Sequence, residues 1–198
     1  MLAATQANAA LVLFEGFETG LGAWTPQSYI HPDAIGLFDP TFTRTTERAE
    51  SGNWSLNASA NGFNADGTFW LEQPVNLPAG TWNIVLSFQL WSPTQSEINN
   101  WEVVASVGTI NPEVEEDLIE LGETNRDGTW IYYELDRTIT LDQPGTVYTA
   151  LGLNIVYNDT RTYGFDSTAI TIVPAPAATT ALLAAFAGVL GAGGRRRR

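Results

Sequence analysis

Residues 81–91 alternate almost without a break. Trp82, Ile84, Leu86, Phe88 and Leu90 fall on one side, and Thr81, Asn83, Ser87 and Gln89 on the other, where only Val85 and Trp91 are out of step. Apolar residues at every second position describe a strand with one face in a core and one in water. The same period runs through residues 54–60, 69–75, 101–107, 130–135, 146–157 and 163–173, and residues 11–14 make a short apolar opening strand. Turn formers separate these runs, among them Leu77-Pro78-Ala79-Gly80, Asp127-Gly128 and Gln143-Pro144-Gly145. Residues 26–40 mix prolines, aspartates and aromatic residues without a period and predict a loop. Residues 111–123 hold Glu113, Glu115, Glu116, Asp117, Glu120 and Glu123 and predict a solvated loop or a single helical turn. No helical period of useful length precedes residue 174. The pattern therefore predicts one all-β domain over residues 10–173, an antiparallel β-sandwich.

The pattern changes at the C-terminal end. Residues 177–194 carry no charge, and a helix of that length rises about 27 Å, close to the ~30 Å of bilayer hydrocarbon. Residues 174–198 thus predict a tail with a single hydrophobic transmembrane helix, and its last residues, Arg195, Arg196, Arg197 and Arg198, belong on the cytoplasmic side. The order of Val173, Pro174, Ala175 and Pro176, then the apolar run, then the arginines resembles the PEP-CTERM sorting signal of exported bacterial proteins. Ala175 stands where that signal carries a Glu. The resemblance implies a membrane-bound exosortase that cuts near the motif, so that the protein is transiently membrane-anchored and then passes to the cell envelope or extracellular matrix. An anchor that is never cut is the alternative. Residues 1–9 read as the remnant of a secretory leader, with Ala7-Asn8-Ala9 in the small-x-small pattern before a cleavage point.

Charge narrows the partners. The chain of 198 residues has no lysine and a formal net charge of −13, and without the terminal arginine cluster five arginines face 22 acidic residues, a net of −17. Such a surface repels phosphate, which argues against nucleic acid and anionic membranes. Cysteine is absent, so there is no disulfide framework, thiolate nucleophile or cysteine zinc site. The one histidine, His31, sits in a Pro-flanked loop with no second histidine to complete a zinc site and no nucleophile motif around any serine.

Three stretches carry a second resemblance. Phe17-Glu18 runs through Gly20 and Gly22 to Trp24, a Ser51-Gly52 turn feeds an alternating strand, and Gly164-Phe165-Asp166 opens the last strand. Together they resemble the jelly-roll domains common among carbohydrate-binding modules. In that group the first-strand Glu and last-strand Asp often surround one structural calcium with backbone carbonyls of the Ser-Gly turn. The resemblance so implies Glu18 and Asp166 as calcium ligands, with the backbone of residues 51–53 beside them, and an ion there would pin first and last strands together.

Function follows from the resemblance and from aromatic residues at positions that the alternation turns to water: Trp91, Trp130 and Tyr132. Flat rings stack on sugar faces, which makes these three the candidate glycan-binding residues. The expectation is a non-catalytic, surface-delivered sandwich that binds or embeds in extracellular polysaccharide. Alternatives are a purely architectural surface or adhesion protein without a ligand pocket, or a glycoside hydrolase that pairs Glu134 with Glu72 or Glu102 on one wet face.

Overall fold

The computed structural model describes residues 10–34, 38–61, 67–94, 101–155 and 160–175. They form eleven strands: β1 (Leu11–Glu15), β2 (Thr25–Ile30), β3 (Asp39–Thr45), β4 (Ser55–Asn61), β5 (Gly67–Leu77), β6 (Gly80–Trp91), β7 (Trp101–Gly108), β8 (Ile119–Glu123), β9 (Trp130–Leu141), β10 (Gly145–Ile155) and β11 (Arg161–Pro174). One sheet runs β3-β4-β11-β6-β9, with β1 also on β11, and the other runs β2-β5-β10-β7-β8. All pairings are antiparallel. From β4 to β7, and again from β8 to β11, each successive strand passes to the opposite sheet, so each β-β connection spans the sandwich.

The core lies where the alternation places it. Trp82, Ile84, Leu86, Phe88 and Leu90 of β6 are buried against Trp101, Val103, Ala105 and Val107 of β7 and the inward residues of β5 and β10. Phe69, Trp101 and Tyr163 form a chain of rings through it, with centroids 6.2 Å and 4.9 Å apart. Each fully buried ring of this size contributes about 1.5–3 kcal/mol.

β11 joins the two chain ends to the middle. Its C-terminal half pairs with β1 and its N-terminal half with β4 along one edge, while β6 pairs along the other from Gly164 to Pro174. Asp166 marks the changeover: the β6 register shifts between Asp166 and Ala169, and Ser167 there sits at φ 50°. This bulge lets one strand serve two partners end to end.

Several expectations change. Residues 25–30 and 39–45 are strands, which take up the two ends of the loop expected over residues 26–40. β2 is an edge strand whose second residue is Pro26, a place where a missing N–H costs no ladder bond, and its lack of period reflects a strand exposed on nearly every residue. The acidic stretch contains one 3-10 turn, Glu115–Asp117, but continues into β8. The last strand runs past Val173: Val173 and Pro174 pair with Asn83 and Trp82, and the Ala175 N–H donates to the Thr81 carbonyl at 2.9 Å. Three of the four residues of the expected sorting motif thus belong to the sandwich. The expected leader and most of the tail, Pro176 and the arginine cluster included, lie outside the described residues. Among the described residues no helix is long and apolar enough to cross a membrane.

Candidate functional site

The three aromatic residues singled out in the sequence meet on one surface. Cross-strand register sets Thr43, Asn57, Gly164, Trp91 and Trp130 in a single row across the outer face of the β3-β4-β11-β6-β9 sheet. Tyr132 stands one pleat further along β9, opposite Gln89. Gly164 is what makes the row pack: a Cβ there would meet Trp130 Cη2 at 3.1 Å and Trp91 Cβ at 3.3 Å, so the missing side chain leaves the space against which the Trp130 indole rests beside Trp91. Arg48 covers the other side, its guanidinium 3.9 Å from the centre of the Trp91 ring. That cation is held in turn by Asn57 Oδ1 at 3.3 Å and Glu47 Oε2 at 3.2 Å. The Trp91 indole N–H donates to the Gly128 carbonyl at 3.0 Å.

These contacts divide the labour among the three rings. Trp91 is a support, with one face under a guanidinium and its N–H bonded to the turn before β9. Tyr132 is 54% exposed, and Trp130 is half-buried. The Tyr132 hydroxyl donates to Glu134 Oε2 at 2.5 Å, and this bond raises the phenol pKa above its ordinary value. The surface thus offers ring faces beside a row of acceptors and donors: Gln89, Glu134, Arg48 and Glu47. Sequence reasoning missed Arg48 and Gly164; the one available signal was a lone glycine inside a strand pattern.

The outer face of the other sheet is mixed in polarity and largely buried. Register gives rows of Thr68, Asn154 and Glu102, then Trp70, Gly152 and Val104, then Glu72, Ala150 and Ser106. The 3-10 turn reaches onto the first row: Glu115 accepts from Asn154 Nδ2 at 2.7 Å and from Thr68 Oγ1 at 3.2 Å. Thr68, Trp70, Glu72, Val104 and Asn154 are all buried. Burial raises the pKa of Glu72, with the adjacent Trp70 indole N–H pulling the other way although it meets no acceptor in good hydrogen-bond geometry. Burial also raises Glu102, and the carboxylates of Glu120, Glu115 and Glu123 push it further.

This arrangement corrects the paired-carboxylate expectation. Glu134 faces outward from one sheet, while Glu72 and Glu102 face outward from the other, so the sandwich separates the proposed partners. Glu72 and Glu102 share a face but lie two strands and four residues apart along β10, roughly 16 Å at strand spacing. Glycosidase carboxylates stand about 5–9.5 Å apart.

Glu18 and Asp166, the expected calcium ligands, do converge on one segment. Glu18 Oε1 accepts the backbone N–H groups of Asn53 at 2.8 Å and Trp54 at 3.0 Å. Asp166, fully buried, accepts from Glu50 N at 2.7 Å and Ser51 N at 3.0 Å through Oδ2, and from Ser167 N at 2.6 Å through Oδ1. Desolvation raises the Asp166 pKa, the three amide donors lower it, and the nearby Glu50 charge raises it again; the net direction is up. Calcium asks for six to eight oxygens. Three of the four carboxylate oxygens here already face amide hydrogens of the 50–54 turn and Ser167, and among the described residues no group of three or more acidic or histidine side chains is placed to hold an ion. In this arrangement the pair staples a turn.

No family model matches the chain, and no curated protein does. Solved structures do resemble it. A bacteriophage CBA120 tailspike protein 4 enzymatically active domain aligns over 78% of this chain and 20% of its own, with 12% identity and a TM-score of 0.52. TmCBM61, solved in complex with β-1,4-galactotriose, aligns over 81% of this chain and 94% of its own, with 17% identity and a TM-score of 0.49. The CBM22-1 xylan-binding domain of Paenibacillus barcinonensis Xyn10C aligns over 86% and 99%, with 15% identity and a TM-score of 0.43. At these identities the likeness shows the fold alone: a two-sheet, antiparallel β-sandwich.

Proposed function

We propose that this protein is a non-catalytic β-sandwich that binds polysaccharide through the outer face of the β3-β4-β11-β6-β9 sheet, with Trp130 and Tyr132 as the stacking rings and Trp91 as their support. The observation that carries the reading is the registration of all three rings on one outward face, with Trp91 and Trp130 beside the gap left by Gly164 and Tyr132, 54% exposed, one pleat further along β9. An aromatic ring on a strand costs little entropy to present, and the neighbouring Gln89, Glu134 and Arg48 supply hydrogen bonds for hydroxyl groups. The sequence resemblance to the jelly rolls of carbohydrate-binding modules supports the same ligand class. Delivery belongs to the proposal too: export, processing of residues 174–198 by an exosortase-type enzyme, and residence in the envelope or matrix. Its support is the order of motif, apolar run and arginines in the sequence.

The test is affinity electrophoresis through gels containing a panel of soluble polysaccharides. Wild type should be retarded by at least one of them, and Tyr132→Ala, whose ring is mostly solvated, should weaken that retardation by about tenfold, ~1.4 kcal/mol, with an unchanged melting temperature. Undiminished retardation of both Tyr132→Ala and Trp130→Ala would move the glycan elsewhere, and no retardation on any gel would favour the architectural alternative.

A further inference from the structure

At the corner where the ends of the sandwich meet, the first strand leaves β1 through Phe17, which is fully buried and sits at φ 57°, in the left-handed region. A bulky residue there is strained and persists only where its surroundings hold it. The Phe17 N–H donates to Glu15 Oε1 at 2.7 Å. The Phe17 carbonyl accepts from Arg44 Nε at 2.7 Å, and the Glu18 carbonyl accepts a short bond from Arg44 Nη2. The same guanidinium lies 4.1 Å from the centre of the Trp54 ring. Trp54 is the residue whose N–H, with that of Asn53, holds the Glu18 carboxylate.

One cation therefore gathers two backbone oxygens of the β1 exit, and amides of the 50–54 turn bond the Glu18 and Asp166 carboxylates. We propose that Arg44 and these amides do at this corner the work that a bound calcium ion would do, so that closure of the first strand, the 50–54 turn and the last strand is built from the chain's own charges and does not depend on a divalent ion. Arginine suits the role: its planar fork reaches two carbonyls at once, its charge is permanent, and its flat face stacks on an indole. A lysine would offer a point charge without the fork. The inference stands apart from polysaccharide binding, because the corner shares none of Trp91, Trp130 or Tyr132.

Thermal unfolding of the full chain in excess calcium chloride, in excess magnesium chloride and in chelator tests it. The three midpoints should coincide for wild type. Arg44→Gln should unfold several degrees lower in all three, with Arg44→Lys between them. A calcium-dependent rise in the wild-type midpoint would overturn the proposal, since it needs no substitution to fold. So would an Arg44→Gln protein that melts with wild type, or an Arg44→Lys protein as stable as wild type, because either would remove the two-pronged bond from the closure.

Discussion

Gly164 and Glu102 show how single positions control the two outer faces. A methyl group added at Gly164 would meet the ring carbon of Trp130 at 3.1 Å and Trp91 Cβ at 3.3 Å, closer than side chains tolerate without shifting. Gly164→Val should therefore cost about 1–3 kcal/mol in urea unfolding, the range for overpacking, and should tilt Trp130 enough to alter its fluorescence. An unchanged midpoint would mean that the Trp130 indole does not rest against this position. Glu102 fails in the other direction. Burial desolvates it, and the carboxylates of Glu120, Glu115 and its cross-strand neighbour Glu123 add to the effect, so its folded-state pKa lies above the unfolded value. A raised pKa means that stability is fully present below the unfolded value, ~4.3, and is lost as pH rises through the folded one. Glu102→Gln keeps an acceptor for Asn154 and removes the charge. It should be the more stable protein at pH 7, by about 0.2–1 kcal/mol, and equal to wild type near pH ~3.5. A variant less stable at pH 7 would show that the carboxylate has a compensating partner.

Strand position within the sheets decides which elements are durable. β11 and β10 are paired along both edges, β11 with β6 on one side and β4 then β1 on the other, β10 between β5 and β7. β2 and β8 close one sheet with a single neighbour each, and nearly all of β2 is exposed. Backbone hydrogen bonds that open without disturbing a second strand exchange first. Native-state hydrogen exchange should find the slowest amides in β10 and β11 and the fastest strand amides in β2 and β8. If β2 exchanged as slowly as β10, the sandwich would open only as one unit, and edge position would carry no energetic meaning here.

At the scale of the whole molecule, the same corner ties residues far apart in the chain. Asp166 bonds Glu50 and Ser51 across more than a hundred residues, and Glu18 bonds Asn53 and Trp54 across about thirty-five. Both contacts end on one five-residue turn, so the opening and closing strands are fastened through it. Asp166→Ala removes three hydrogen bonds from a fully buried carboxylate, while Glu50 and Ser51, which carry two of the three donors, are exposed so that water can reach them. Hydrogen bonds to a charged group are worth ~1.5–3 kcal/mol, so a fall of about that size in unfolding free energy is expected, a few degrees in Tm. A change below ~1 kcal/mol would mean that the amides find other acceptors and that the turn is not a fastening point.

Alternation alone determined that this is an all-β protein, which residues of β6, β7 and β10 line its core, and that Trp91, Trp130 and Tyr132 lie on an outward face. Those are local facts, because the side of a strand that a residue takes follows from its neighbours two positions away. Strands with no apolar period, β2, β3 and β8, were invisible for the same reason: they are formed by pairing with a partner's edge, and pairing leaves little mark on composition. Only the tertiary structure decided that Glu134 stands on the opposite sheet from Glu72 and Glu102, that Arg48 caps Trp91 over Gly164, and that Glu18 and Asp166 meet amide donors of a shared turn. Each depends on cross-strand register and on which sheet a strand joins, and these are settled by how the two faces pack together rather than by any stretch of sequence read by itself.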